Sequence, residues 1–128
     1  MKKELVFYRC NICGNIICMV QESGVVPTCC GEEMERLTVN TEDAAHEKHV
    51  PVVELKGRHI KVRVGSLPHP MTDEHSIEWI AVLTRRNIYV RTLYPGDLPE
   101  AEWCTDTEEQ PAAVYAYCSL HGLWSREA

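Results

Sequence analysis

The feature that most constrains the fold of this chain is a pair of metal-binding residue types near its end, Cys118 and His121. A thiolate and an imidazole three positions apart can reach one metal ion from adjacent stretches of backbone, but two ligands do not complete a site. Upstream candidates for the missing ligands are His49, His69 and His75. If all five bind one ion, three distant segments must meet in the fold, and one position of an octahedron is left for a small molecule to react.

The sequence around the three upstream histidines favours this role. His69 lies between Pro68 and Pro70, so its backbone is held extended in a loop rather than in a sheet. His75 follows on the same loop, and His49 precedes the first predicted strand of this region. Taken singly, however, a histidine is more often an ordinary surface or core residue than a ligand.

Four further cysteines form two close pairs, in the motifs Cys10-Asn11-Ile12-Cys13-Gly14 and Cys29-Cys30-Gly31. A Cys-x-x-Cys turn directs backbone amides at both sulfurs, and the following glycine permits the positive φ of such a turn. Four thiolates suit tetrahedral iron or zinc, and the spacing does not decide between them. Neighbouring side chains in a strand point to opposite faces, so the adjacent pair requires a tight bend and predicts a distorted tetrahedron. The alternative role is purely structural, with a metal stapling a segment too short for a core of its own.

Four residues of metal-binding type receive no metal role. Cys18 fits no ligand spacing and is predicted to be a buried free thiol. Cys104 is likewise not needed for either site. His46 falls in a polar connector and His59 begins an alternating strand, so both are assigned to solvent.

The remaining sequence predicts an all-β fold. Residues 15–20 and the turn at 22–24 predict a short hairpin between the two cysteine pairs. After a polar connector at 37–48, strand patterns recur without a helix of ten residues, which predicts an antiparallel sandwich. Its predicted strands are 50–55, 60–64, 77–83, 87–94, 102–105 and 113–118. We expect a small metal-knuckle domain at 1–37 and a β-sandwich domain at 38–128.

Composition and charge disfavour several classes of function. The formal net charge is −6, whereas nucleic-acid binding requires a basic face. The apolar runs are only a few residues long, so no membrane span is predicted. The first residues lack the apolar stretch of a secretory signal, and the cysteine spacing favours metal ligation over disulfides. These two features predict a cytoplasmic protein.

Six motifs together carry a family resemblance. The two cysteine motifs resemble the desulforedoxin-type iron knuckle, and the other four resemble superoxide reductase. Those four are Glu47-Lys48-His49-Val50-Pro51, Gly65-Ser66-Leu67-Pro68-His69-Pro70-Met71, His75-Ser76-Ile77-Glu78-Trp79-Ile80 and Tyr117-Cys118-Ser119-Leu120-His121-Gly122-Leu123-Trp124. As a set they cover essentially the whole chain and resemble desulfoferrodoxin, the two-iron form of the superoxide reductase family.

The resemblance implies the fold, the cofactors and the activity. It implies a desulforedoxin-like or rubredoxin-like domain with an FeS4 centre, in which zinc can substitute, followed by an immunoglobulin-like sandwich. The first iron would be bound by Cys10, Cys13, Cys29 and Cys30. The second would be bound in a plane by His49, His69, His75 and His121, with Cys118 axial. The implied activity is reduction of superoxide to hydrogen peroxide, with a rubredoxin-like electron donor and a homodimeric protein.

Two residues beside His49 receive roles beyond holding the metal in place. Lys48 is assigned to attract the superoxide anion and to orient a proton-donating water. Glu47 is assigned to the open coordination position once the iron is oxidised.

Two other functions stay open from the sequence. One is a zinc ribbon joined to a binding sandwich, which leaves the four histidines unexplained, and the other is an electron carrier whose irons are both closed.

Overall fold

The computed structural model describes residues 3–40 and 46–127, apart from the side chains of His46, Glu47 and Glu127. Within these residues the secondary structure is twelve short strands and one helical turn. The predicted all-β fold is therefore confirmed. No helix among the described residues is long and apolar enough to cross a bilayer.

Five strands precede the connector and form two small sheets. They are β1 (Phe7–Arg9), β2 (Ile16–Cys18), β3 (Thr28–Cys29), β4 (Glu32–Glu33) and β5 (Glu35–Arg36). β1 is the central strand of an antiparallel sheet in the order β2-β1-β5, and β3 pairs with β4. Side chains alternate along β1, so Phe7 and Tyr8 belong to different apolar clusters. The cluster of Tyr8 also contains Cys10 and Met34 and lies beneath the paired cysteines.

The remaining elements form a two-layer antiparallel sandwich. They are α1 (His46–His49), β6 (Pro51–Lys56), β7 (His59–Val64), β8 (Ile77–Leu83), β9 (Ile88–Thr92), β10 (Glu100–Cys104), β11 (Ala113–Cys118) and β12 (Gly122–Glu127). One sheet has the order β10-β7-β6, and the other has the order β12-β11-β8-β9. The alternation predicted for β7 is observed, since Ile60, Val62 and Val64 are buried in the core between the sheets.

The four-stranded sheet is covered on both faces. Along β11, residues 114, 116 and 118 face the sandwich core, while residues 113, 115 and 117 join a second core with Leu5 and Phe7. All six residues of β11 are consequently buried. The ring centroid of Phe7 lies 4.8 Å from that of Trp79 and 5.4 Å from that of Tyr115. The N-terminal segment thus packs directly on the sandwich.

One prediction about strands is wrong, and one strand was not predicted. Residues 16–18 pair with β1, from Phe7↔Cys18 to Arg9↔Ile16, so the turn of that hairpin is the knuckle at 10–13. The Gly24 region makes no such turn, because the cysteine knuckle already reverses the chain. The strand β12 was not predicted, although it pairs with β11 along its whole length. Leu123 and Trp124 are both buried, and two adjacent buried residues hide the alternation that identifies a strand covered on one face.

Candidate metal centres

The four paired cysteines meet beside the small N-terminal sheets. Cys10 directly follows β1, Cys13 precedes β2, and Cys29 ends β3. Cys30 has a φ of 53° and Gly31 a φ of 77°, which is the tight bend predicted for an adjacent cysteine pair. An L-residue with positive φ is strained, so this bend indicates that the position of the Cys30 sulfur is held by its surroundings.

The sulfur atoms are spaced as a tetrahedral metal site requires. The Sγ atom of Cys29 lies 3.7 Å from that of Cys13 and 3.9 Å from that of Cys30. All four sulfurs lie within 4.8 Å of one another. A metal–sulfur distance of about 2.3 Å gives a tetrahedron with edges of about 3.8 Å. The donor set therefore fits iron or zinc, as the sequence predicted.

The thiols of this cluster differ in acidity. Hydrogen bonds from the backbone of Cys13 and Ile12 lower the pKa of Cys10 to about 6. Hydrogen bonds with the neighbouring thiols, first Cys13 and then Cys10, raise the pKa of Cys30 to about 12. Four sulfurs so close together cannot all ionise without a cation, because like charges repel. A bound metal ion removes that repulsion and displaces the remaining protons.

The second candidate centre lies at one end of the sandwich core, where three segments meet. His49 ends α1, and His69 and His75 lie in the loop between β7 and β8. Cys118 ends β11, and His121 lies in the turn that leads to β12. The five residues that the sequence singled out are thus brought together by a helix end, one long loop and one hairpin turn.

Backbone hydrogen bonds fasten these segments to one another. The N–H of His69 donates to the carbonyl of Val64 at 3.0 Å, which ties the long loop to β7. Ser76 and Ser119 bond reciprocally: the N–H of Ser119 donates to the carbonyl of Ser76 at 2.9 Å, and the N–H of Ser76 donates to Oγ of Ser119 at 3.1 Å. Since Ser76 follows His75 and Ser119 follows Cys118, these bonds fix the loop against the hairpin.

Asn40 fastens the hairpin from the other side. Its side-chain N–H donates to the carbonyl of His121 at 3.0 Å, and its backbone N–H donates to the carbonyl of Leu123 at 2.7 Å. The residue thereby links the described end of the N-terminal segment to the turn that carries His121.

The four imidazoles form a square. Ring centroids of neighbours are 4.7 Å apart for His49–His69 and His69–His75, 5.0 Å for His75–His121 and 4.9 Å for His49–His121. Each neighbouring pair is nearly perpendicular, at 71° to 84°, whereas the diagonal His49–His75 is longer, at 6.4 Å. Four rings in such a square can direct one nitrogen each at a common centre, which is how a planar set of imidazole ligands is arranged.

The nitrogen atoms that face this centre are identified by their contacts. Nε2 of His49 lies 3.1 Å from Nε2 of His69 and 3.2 Å from Nδ1 of His121. The Nδ1–H of His69 donates to the carbonyl of Pro70 at 2.7 Å, which leaves its Nε2 unprotonated and available to a metal. Nε2 of His75 is buried and has no hydrogen-bond partner among the described residues. Such an orphaned acceptor fits a metal ligand.

Cys118 supplies the fifth donor from the buried side. Its Sγ lies 3.4 Å from Nε2 of His69 and 3.8 Å from Nδ1 of His121, and its side chain is fully buried. Burial raises the pKa of this thiol, while backbone N–H groups of His121 and Leu120 act in the opposite direction. A cation beside the sulfur would stabilise the thiolate.

Burial disfavours the charged form of two of these histidines, His69 and His75. It lowers the pKa of His69 to about 4 and lowers the pKa of His75 below its ordinary value. Repulsion from neighbouring rings acts in the same direction in both cases, and the charge of Lys48 adds to it at His75. Neutral imidazoles are the form that binds a metal.

Comparison with known families agrees with this geometry. The signature of the desulfoferrodoxin family matches residues 41–127, and that of the desulfoferrodoxin N-terminal domain matches residues 2–37. The chain belongs to the desulfoferrodoxin family. The desulfoferrodoxin of Syntrophotalea carbinolica is 45% identical over 127 residues, which are 99% of each chain. That of Nitratidesulfovibrio vulgaris is 43% identical over 128 residues and the full length of both.

A solved structure extends the likeness of this desulfoferrodoxin-family chain to three dimensions. The crystal structure of the superoxide reductase from Treponema pallidum matches with a TM-score of 0.83 and 35% identity. The match covers 99% of this chain and 100% of that one. The family resemblance deduced from the six motifs is therefore confirmed.

The residues predicted to lie outside the two centres do so where the structure describes them. His59 is exposed, and its Nδ1 lies 2.6 Å from Oε1 of Glu102. Cys104 is exposed and Cys18 is half-buried against the second core rather than fully buried. The side chain of His46 lies outside the described residues, so its assignment to solvent stays a prediction.

Of the two residues assigned roles beside His49, Lys48 is exposed. The side chain of Glu47 lies outside the described residues, so its role as a ligand stays a prediction.

Several residues of the second centre were not assigned a role from sequence. The indole of Trp124 stacks on the His49 ring, with centroids 4.5 Å apart and planes at 17°. The sequence indicates no role for Trp124 beyond its place in a motif, because the strand that carries it is not predicted. Ser76, Ser119 and Asn40 form hydrogen bonds with residues far away in sequence. No local sequence pattern predicts such contacts.

Proposed function

We propose that this chain is a superoxide reductase, which reduces superoxide to hydrogen peroxide at the second centre. The observation that carries the proposal is the square of four imidazoles with a buried cysteine sulfur beside it. The residues that would hold the iron are His49, His69, His75, Cys118 and His121. Five donors leave one of six coordination positions for a small molecule. The family membership and the superoxide reductase neighbour support the same reaction.

The protein and the metal contribute different parts of this chemistry. Iron, when bound, supplies the electron that reduces superoxide. The imidazoles would stabilise the ferrous state, and the Cys118 thiolate would donate electron density to the iron. The hydrogen-bonded loops hold the donors in place, so little rearrangement is needed when the charge of the centre changes.

Lys48 and Glu47 are proposed to act at the open coordination position. Lys48 directly precedes His49 and is exposed, so its positive charge attracts the superoxide anion towards the centre despite the net negative charge of the chain. The same ammonium group orients a water molecule that donates a proton. Glu47 is proposed to ligate the oxidised iron, since a carboxylate suits a hard ion, and it is not needed for reduction itself.

The remaining parts of the proposal concern organisation. We divide the chain into an iron-knuckle domain at 1–37 and a catalytic sandwich at 38–128. Cys10, Cys13, Cys29 and Cys30 hold the first iron. A rubredoxin-like protein returns the electron, and the protein works in the cytoplasm as a homodimer, in which a small first domain gains by pairing.

The proposal is tested by counting product per substrate. The reduced protein, prepared in iron-replete cells, is mixed with superoxide, and hydrogen peroxide is measured. A reductase gives one peroxide for each superoxide consumed, whereas dismutation gives one for every two. We expect the Cys118→Ser variant to lose this reaction and the thiolate-to-iron absorption band of the oxidised second centre, while the absorption of the four-cysteine centre remains. The exposed Cys104 provides a matched control, since Cys104→Ser should retain both.

Other outcomes would assign the chain to the alternative classes. A protein that contains iron, yields no peroxide and shows a band unaffected by azide would be an electron carrier with closed centres. A colourless protein that contains only zinc would be a binding module.

A further inference from the structure

The second centre has a neighbour that the reaction does not use. Trp124 lies in β12 directly opposite Ala116 of β11, and both side chains of such a pair project from the same face of the sheet. Ala116 and Cys118 belong to the sandwich core, so the indole lies in the same layer as the buried sulfur. Its side chain is fully buried.

The contact between Trp124 and His49 differs from the contacts of that histidine with the other imidazoles of the square. His69 and His121 meet the His49 ring edge-on, at 71° and 84°, and the more distant His75 ring is tilted by 31° at 6.4 Å. The indole instead lies nearly parallel to it, at 17° and a centroid distance of 4.5 Å. A face-to-face contact restricts the tilt of a ring, because tilting drives one edge into the partner.

The indole is placed for this stack rather than for a hydrogen bond. Its Nε1 is buried without a hydrogen-bond partner among the described residues, and a buried N–H without a partner costs free energy. A hydrogen bond from Nε1 therefore does not explain where the indole lies, whereas its contact with the His49 ring does.

The position of His49 at the end of a short helix explains why a restraint on the tilt of its ring would be useful. It ends α1, a helix of four residues, and a single turn has little stability of its own. The ring of His69 is oriented by the bond from its Nδ1–H to the carbonyl of Pro70. The His49 ring is only 3% exposed, so its plane is set by the packing around it.

We propose that Trp124 is a positioning residue that sets the plane of the His49 imidazole and so the direction in which Nε2 faces the metal. The inference rests on the proposed function only in taking iron as the metal. A residue that orients a metal ligand typically changes metal affinity by about 10- to 100-fold when it is removed.

The test compares Trp124→Phe, which keeps a flat ring, with Trp124→Leu, which does not. Iron affinity of the second centre is measured by competition with a chelator, and the oxidised protein is examined by visible absorption and electron paramagnetic resonance. We expect Trp124→Leu to bind Fe²⁺ about tenfold more weakly and to give an altered ferric spectrum. We expect Trp124→Phe to resemble the wild type in both.

A matched control separates positioning from general loss of packing. Trp103 is half-buried beside Tyr89, with centroids 5.9 Å apart, and Trp103→Leu should lower stability without changing iron affinity or the ferric spectrum. Trp124→Met replaces Trp124→Leu if the latter does not fold. The proposal is overturned if the non-aromatic variant keeps the wild-type affinity and spectrum, or if Trp124→Phe is as impaired as that variant. Superoxide is absent from these measurements, so failure of the proposed activity would leave this result unaffected.

Discussion

At the scale of single residues, three histidines of the second centre are restrained by different contacts. His69 donates from Nδ1 to a backbone carbonyl, and His49 stacks on an indole. The backbone of His121 accepts a hydrogen bond from Asn40. Lys48 directly precedes His49, and its side chain is exposed. We therefore expect its charge to speed the encounter with the anion, in addition to the proposed role in orienting a water molecule.

Replacing Lys48 by Ala should slow the capture of superoxide by about tenfold at low salt and flatten its dependence on ionic strength. Pulse radiolysis at several salt concentrations measures both quantities. Lys56→Ala is the matched control, because Lys56 is exposed at the far end of β6 and its loss changes the net charge equally. Equal rates for Lys48→Ala and Lys56→Ala would contradict the role of Lys48 in steering.

Glu47→Ala should leave the rate of superoxide capture near that of the wild type while changing the absorption spectrum of the ferric second centre.

At the scale of elements, polar side chains hold loops to strands at both ends of the sandwich. Glu109 lies at the end of β8 and β11 that is opposite to the metal ligands. It joins the loop before β11 to the turn between β8 and β9. Its carboxylate accepts hydrogen bonds from Thr84 at 2.7 Å, Asn87 at 2.8 Å and Tyr89 at 2.6 Å. Burial opposes ionisation of Glu109, but these bonds together outweigh it and lower the pKa of the carboxyl. Burial, and then Glu109, raise the pKa of Tyr89 to about 12.

Glu109→Gln should reduce the free energy of unfolding at pH 7 by about 1 kcal/mol, since three hydrogen bonds lose their charged acceptor. Because the folded protein holds this carboxyl at a lowered pKa, its contribution is present above the unfolded pKa. It is lost as the pH falls through the folded pKa. Urea unfolding should therefore show a difference between the wild type and Glu109→Gln at pH 7 that shrinks below pH about 4.

The adjacent Glu108 supplies the control for that experiment. It is exposed, so Glu108→Gln should change stability little at either pH, and effects of acid on the metal centres are common to all three proteins. A difference for Glu109→Gln that is the same at both pH values would show that the ionised carboxylate is not the stabilising form.

At the scale of the whole molecule, the N-terminal segment and the sandwich share a core. Leu5 and Phe7 pack against the outer face of the four-stranded sheet, and the N–H of Leu5 donates to the hydroxyl of Tyr115 at 2.9 Å. Leu37, the last residue of the first proposed domain, packs against the same core. A first domain of this size has little core of its own. We therefore expect the two proposed domains to unfold together.

Phe7→Ala should lower the free energy of unfolding by about 3–5 kcal/mol, as expected for removing a buried phenyl ring. In the wild type, far-ultraviolet circular dichroism and the visible absorption of the first centre should show one common transition. Val25 is 74% exposed, and Val25→Ala should change stability by less than about 0.5 kcal/mol. Two separate transitions in the wild type would show that the shared core does not couple the domains.

Much of this arrangement could be predicted from the sequence, for identifiable reasons. The strand β7 was found because its apolar residues alternate, and the two clusters were found because ligand residue types recur at metal-binding spacings. β12 was missed because a sheet covered on both faces lacks alternation. The prediction of a hairpin with its turn at 22–24 was wrong. It relied on the glycine at position 24, whereas the strand at 16–18 pairs across the turn that the cysteine knuckle forms. The reciprocal bonds of Ser76 and Ser119 join residues 43 positions apart, and only the folded chain shows such pairs.

The hairpin of β11 and β12 has a consequence for how the centre is assembled. The last pair of its ladder is Cys118↔Gly122, so the sulfur and the His121 ring occupy a tip only a few residues long. The register of the two strands sets the distance between these donors, so one inserted residue at the tip would displace both. The tip reaches its final shape only when β12 is paired with β11. Iron bound at the tip would in turn stabilise the pairing of the two strands.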